Sequence, residues 1–156
     1  HKGLYRQGYA ATEEPDNEYL LPFGKGRIVS PGEDITIITW GAMVQKSIEA
    51  VQLLGLDNGQ VEIIDLRTLN PIDMKLIESS IQKTSKVLVV HEDNFTNGPG
   101  AEISALVADK YFELLDGPVR RVAAKDSPVP FSWLLEEKVL PQTEDVVIAI
   151  EELLEY

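Results

Sequence analysis

The stretch from Lys86 to Val107 limits most sharply what this chain can fold into. Lys86-Val-Leu-Val-Val90 is a short run of β-branched and aliphatic residues, which reads as a buried strand. At Val90 the character changes to His91-Glu92-Asp93-Asn94, polar and ionisable. Thr96-Asn97-Gly98-Pro99-Gly100 then supplies turn chemistry, and Ala101 to Tyr111 reads as an amphipathic helix. A buried strand that turns into a helix is half of a βαβ unit. In open α/β sheets, ligands and partners are met at such carboxyl ends of strands.

The same alternation runs through the rest of the chain. Ile35-Thr-Ile-Ile-Thr39 is a strand ended by Trp40-Gly41, and a helix follows from about Ala42 to Leu54. Val44, Ser47, Ile48, Val51 and Leu54 share one face of it. Val61-Glu-Ile-Ile-Asp65 is the next strand. Asn70-Pro71 then offers a cap and a first helical residue, with Asp73 at the positive helix end and Met74, Ile77 and Ile81 facing inward. Asp116-Gly117-Pro118 is a turn before the strand Val119-Arg-Arg-Val-Ala-Ala124, whose arginines belong near its start or on an exposed face. The prolines of Ser127-Pro128-Val129-Pro130-Phe131 exclude regular structure there. A short helix is expected over 131–139, and a last one is capped by Thr143, with Val146, Val147, Ile150 and Leu154 as its apolar stripe.

This order predicts an α/β fold: a three-layer α/β/α arrangement around a mostly parallel sheet of about five strands, with right-handed crossovers. Residues 1–30 read as a connector, solvated around Glu13-Glu14-Pro15-Asp16 or strapped by its aromatics onto a neighbouring domain. Leu20 to Ser30 can add an edge strand, antiparallel if Pro31-Gly32-Glu33-Asp34 turns a hairpin. Residues 31–156 form the domain proper.

Composition narrows the function classes. The 156 residues are 44% apolar, enough for one domain with a full core. The net charge of −12 argues against nucleic acid and suits a basic protein partner. No apolar run approaches the ~20 residues of a membrane helix. Without cysteine there is neither a disulfide nor a thiolate metal site, which fits a reducing compartment. The start carries no signal-peptide pattern and no Met, as expected of a fragment or of a processed chain.

Local candidates for chemistry are few. His91-Glu92 has the residue types for acid–base work, yet catalysis needs groups converging from several loops, so a capping or interface role is the simpler reading. Asn97-Gly98-Pro99-Gly100 invites a phosphate-loop reading but matches neither the dinucleotide fingerprint nor a Walker loop. Glycines that let the helix start pack tightly explain it more simply. Asp65 and Arg67 can pair at a strand end and order the loop towards Pro71. No Ser/His/Asp set, metal cluster or carboxylate pair stands out.

Several runs together carry a resemblance. Gly-Glu-Asp-Ile-Thr-Ile-Ile-Thr-Trp-Gly (32–41), Glu-Ile-Ile-Asp-Leu-Arg-Thr-Leu-Asn-Pro-Ile-Asp (62–73), Lys-Thr-Ser-Lys-Val-Leu-Val-Val-His-Glu (83–92) and Gly-Ala-Glu-Ile-Ser-Ala (100–105) appear in order, followed by 121–131 and 145–150. They resemble the carboxyl-terminal, transketolase-like domain of the beta subunit of thiamine-diphosphate-dependent 2-oxo acid dehydrogenases, over nearly the whole chain from about Leu20. Lys2-Gly3-Leu4-Tyr5-Arg6 resembles the linker after the pyrimidine-binding domain. Leu-Tyr-Arg, Thr-Trp-Gly and His-Glu resemble the branched-chain (2-oxoisovalerate) members more than the pyruvate ones. The segment 65–68 favours the dehydrogenases over transketolase or deoxyxylulose-phosphate synthase.

The resemblance implies oxidative decarboxylation of a 2-oxo acid, with acyl transfer to a lipoyl domain. It places thiamine diphosphate and magnesium between an alpha subunit (or fused alpha-type domain) and the preceding beta domain. No catalytic, cofactor or metal residue therefore maps here, and this piece alone is expected to be inactive and to bind no cofactor. The implied partners are the alpha part, a second copy of the beta domain and the basic subunit-binding domain of the dihydrolipoyl acyltransferase. Asp116 and Tyr156 are the expected docking residues, with His91 and Glu92 as further partner contacts. The implied compartment is the bacterial cytoplasm or the mitochondrial matrix.

Overall fold

The apolar runs of the sequence become strands because each is buried on both faces. In the computed structural model, which describes residues 4, 8–56 and 59–156, β2 (Ile35–Thr39) is buried at every position. β3 (Val61–Asp65) and β4 (Val87–Asn94) flank it in parallel, and β5 (Arg120–Ala124) pairs in parallel with β4. β1 (Arg27–Ser30) adds the outer edge, antiparallel to β3, so the order is β1-β3-β2-β4-β5. The chain leaves β2 for β3 on one side and returns to β4 on the other. The topological switch point therefore lies between β2 and β4.

Period-two alternation sends successive strand residues to opposite layers. Ile35, Ile37, Val61, Ile63, Leu88 and Val90 pack with α1 (Ala42–Leu53) and α5 (Thr143–Leu154). Ile38, Ile64, Val87 and Val89 pack with α2 (Met74–Thr84) and α3 (Pro99–Tyr111). The three-layer expectation and the five-strand sheet with one antiparallel edge thus hold. α4 (Trp133–Val139) is a short outer helix.

Several boundaries differ from the expectation, each for a local reason. β1 and β2 form no hairpin: β3 lies between them, and the link passes so close that a Cβ on Gly32 would sit 2.2 Å from the Glu62 nitrogen. β4 does not stop at Val90 but runs through the polar residues to Asn94, with an irregularity in its pairing to β5 after Val90. α2 starts at Met74, not Pro71, because the Asp73 side chain takes the cap and accepts from the Leu76 N–H (3.3 Å). α5 is capped by Gln142 rather than Thr143, and the Gln142 N–H donates to Asp145 (2.8 Å). The buried residues of α1 are Met43, Ser47, Ala50 and Val51, so its inward face is turned slightly from the expected one. In α5, likewise, Ala149 and Leu153 take the central buried places beside Val146 and Ile150.

Candidate functional site

The carboxyl ends of the parallel strands gather the ionisable residues singled out above. At the end of β3, Asp65 accepts from the Arg67 N–H (3.1 Å) and lies 3.9 Å from the Arg67 guanidinium. Arg27, from the antiparallel edge strand, approaches the same carboxylate at 3.4 Å. The expected Asp65–Arg67 pair therefore exists, and Arg27 links β1 to it.

His91 and Glu92 end on opposite faces of β4, as pleating requires. The His91 ring is fully buried and lies parallel to Trp40, with centroids 5.4 Å apart and planes at 10°. It sits under the start of α3, where a Cβ on Gly100 would come within 2.2 Å of its Nε2 and one on Gly98 within 2.9 Å of its Cε1. The glycines of the 97–100 segment are thus explained by close packing, as the simpler reading had it. Burial pushes the imidazole below its ordinary range. Within this chain the ring presents no surface to solvent. Glu92 lines a cavity of about 400 Å³ with Lys46, Trp133, Glu136 and Gln142. Burial first, then Glu136, raises its carboxyl above the usual range.

Next to this edge, two loops are fastened together. The Thr96 N–H and hydroxyl both donate to Asp126 (2.8 and 2.6 Å), holding its carboxyl below the ordinary range. Arg121 lies 3.9 Å over the Phe95 ring and donates to the Phe95 carbonyl (2.7 Å). These contacts, and the Trp40–His91 stack, join residues 26 to 51 positions apart. No short-range sequence signal announces them.

The Asp116-Gly117 turn and Tyr156 lie at the opposite edge of the sheet. The Asp116 N–H donates to the Ser85 carbonyl just ahead of β4 (2.9 Å), and its side chain is exposed. The Tyr156 ring rests on Gly117, where a Cβ would stand 3.3 Å from Cγ. Arg120 pairs with Glu152 beside them (3.5 Å). An open depression of about 600 Å³ between Ala105, Ala108, Phe112 and Val119 reaches Asp116. The positions expected to meet partners therefore lie on different edges of the sheet, His91 and Glu92 at one and Asp116 and Tyr156 at the other.

The start of α3 is closed to a diphosphate. A diphosphate binds at a helix start whose N–H groups are open, whereas His91 and the Asn94 carbonyl close the start of α3. Among the described residues, no group of three or more His, Cys, Asp or Glu side chains is placed to hold a metal ion. No helix there is long and apolar enough to cross a membrane.

The transketolase C-terminal domain family matches residues 24–146. This chain belongs to that family. It is 40% identical over 156 residues to the pyruvate dehydrogenase E1 component subunit beta of Staphylococcus aureus, covering 100% of this chain and 47% of that protein. It is 38% identical over 139 residues to the mitochondrial counterpart of Dictyostelium discoideum, covering 89% of this chain and 39% of that protein. The chain thus spans less than half the length of these curated relatives. A split-gene transketolase, solved as an inactive beta4 tetramer, superposes with a TM-score of 0.74 at 27% identity, covering 92% of this chain and 46% of that one. The relatives named here carry the pyruvate name and lend no support to the branched-chain preference. Of the residues behind that preference, Tyr5 and Arg6 lie outside the described ones, as do Lys2 and Gly3 of the linker resemblance.

Proposed function

We propose that this chain is the carboxyl-terminal assembly domain of a beta-type subunit in a thiamine-diphosphate-dependent 2-oxo acid dehydrogenase. The observation that carries this reading is the 40% identity to a pyruvate dehydrogenase beta subunit over all 156 residues. The whole enzyme decarboxylates a 2-oxo acid oxidatively and passes the acyl group to a lipoyl domain. Pyruvate is the substrate favoured by the relatives' names, and 2-oxoisovalerate is the runner-up. Thiamine diphosphate with magnesium serves that reaction in the alpha part and the preceding beta domain, and this piece alone binds neither. The compartment is the bacterial cytoplasm or the mitochondrial matrix, according to the host.

The domain's own work is association. It packs against an alpha subunit or fused alpha-type domain and against a second copy of itself, with Glu92 and the 97–102 turn facing partners. Docking of the acyltransferase's basic subunit-binding domain falls to Asp116 and Tyr156. Their exposure and the adjoining depression support this, and the −12 charge gives such a partner long-range attraction. Capture on an immobilised acyltransferase subunit-binding domain tests it. The domain is expected to be retained at low salt, and Asp116→Lys is expected to weaken retention about tenfold or more. Retention unchanged by that substitution would remove Asp116 from the interface. A second reading, the equivalent part of a transketolase, is favoured by the TM-score of 0.74. Assay of the whole enzyme for sugar-phosphate transfer against 2-oxo acid decarboxylation separates the two.

A further inference from the structure

The proposed association role leaves one buried side chain without a task. His91 is fully buried, yet among the described residues neither of its ring nitrogens has a hydrogen-bond partner. A neutral imidazole offers one donor and one acceptor, and buried groups of that kind are nearly always paired. Here the ring is held by shape instead. One face stacks on Trp40 at the end of β2, and one edge fills the space left by Gly98 and Gly100. It is a wedge between the β2–β4 switch point and the first turn of α3.

Such a wedge tolerates only the neutral form. A charged ring would lie at the positive end of α3 with neither nitrogen hydrogen-bonded. The charges around it do not offset this. On its own strand, Glu92 points to the other sheet face, beside Lys46 and Glu136. β2 brings only Trp40 and Gly41 to this end, and the first turn of α3 brings Glu102, which is exposed. Asp65 and Arg67 beyond Trp40 are engaged with each other and with Arg27. Burial lowers the imidazole's proton affinity, Asp93 works against that lowering, and Arg121 of β5 adds to it.

We propose that His91 is a proton-operated latch: neutral, it seats the 94–100 turn and the start of α3 on Trp40; protonated, it leaves Trp40 and releases that turn. The latch stands on this chain's own packing and does not need the assembly reading to be right. The sign follows from linkage. The unfolded chain binds this proton near pH ~6.5 and the closed state resists it. Closure is therefore fully favoured above that value and weakens as pH falls below it.

The test uses the full 156-residue chain with Trp133→Phe, which leaves Trp40 as its indole. The His91 ring protons, Trp40 emission and amide exchange are followed from pH 8 to pH 5. His91 is expected to titrate below its ordinary value. Trp40 emission and the protection of amides 101–103 should change at the same midpoint, with exchange, corrected for its intrinsic pH dependence, rising ~tenfold relative to α5. In His91→Phe, which keeps a ring on Trp40 but carries no proton, the transition should vanish. The proposal is overturned if His91 titrates at its ordinary value with Trp40 emission unchanged. It is equally overturned if α5 loses protection together with α3, since that is general acid unfolding, or if the transition persists in the variant. The measurements on the His91 chain decide by themselves should His91→Phe not fold.

Discussion

A methyl group on Gly100 would stand 2.2 Å from the His91 ring, which in its neutral form is wedged against Trp40. Gly100→Ala is therefore expected to destabilise the domain by about 2–3 kcal/mol, read as a lower urea midpoint. Ser104→Ala, one turn along α3, removes only a hydroxyl that donates to the Gly100 carbonyl and should cost less than about 1 kcal/mol. Asp126 behaves differently because it is exposed. Its carboxyl is held low by two Thr96 donors, so the clasp is intact above the unfolded carboxylate value and is lost as pH falls through the lowered one. The Thr96 amide resonance should titrate at a pH below that of an ordinary aspartate, and Asp126→Asn should abolish that titration. At this scale the sequence was informative where a residue's neighbours lie close in the chain. Asp65 with Arg67 and the tight packing of Gly98 and Gly100 were legible. The Trp40–His91 stack and the Thr96–Asp126 clasp were not, because nothing local couples residues so far apart.

The elements were legible in kind and order, since burial of a parallel sheet on both faces writes continuous apolar runs into the strands. Their ends were less so. The Asn70-Pro71 signal lost to Asp73, which also lies 3.8 Å from Lys25 and thereby links α2 to the segment before β1. Asp73→Ala should cost about 1 kcal/mol as a lost cap and loosen residues 24–28, visible as faster amide exchange there. Polar content inside the sheet was the other surprise. The Thr36 hydroxyl lies 2.6 Å from both Ser80 and Thr84, joining β2 to α2 through buried oxygens. Beside them Glu62 is fully buried and pairs with Lys83, which remains partly open to solvent. Removing one partner strands a buried carboxylate, so Lys83→Met should destabilise by about 2 kcal/mol, less than a wholly buried pair because solvent screens the lysine. The double change Glu62→Leu with Lys83→Met should recover most of that loss in a denaturant-melt cycle.

On the scale of the whole molecule, the sheet separates two edges of different character. The carboxyl edge is closed from within: His91 fills the helix start that another α/β protein would leave open for an anion, and Arg27, Asp65 and Arg67 satisfy one another. The opposite edge exposes Asp116 and Tyr156 beside an open depression. Large apolar side chains also remain exposed outside the sheet, Phe23, Phe131 and Trp133 among them, in keeping with a domain that meets other polypeptides. The central claim is that association belongs to this domain and the cofactor chemistry to others. Calorimetric titration of the chain with thiamine diphosphate and magnesium tests it most directly. The account expects no saturable heat, and tight, magnesium-dependent binding would contradict it.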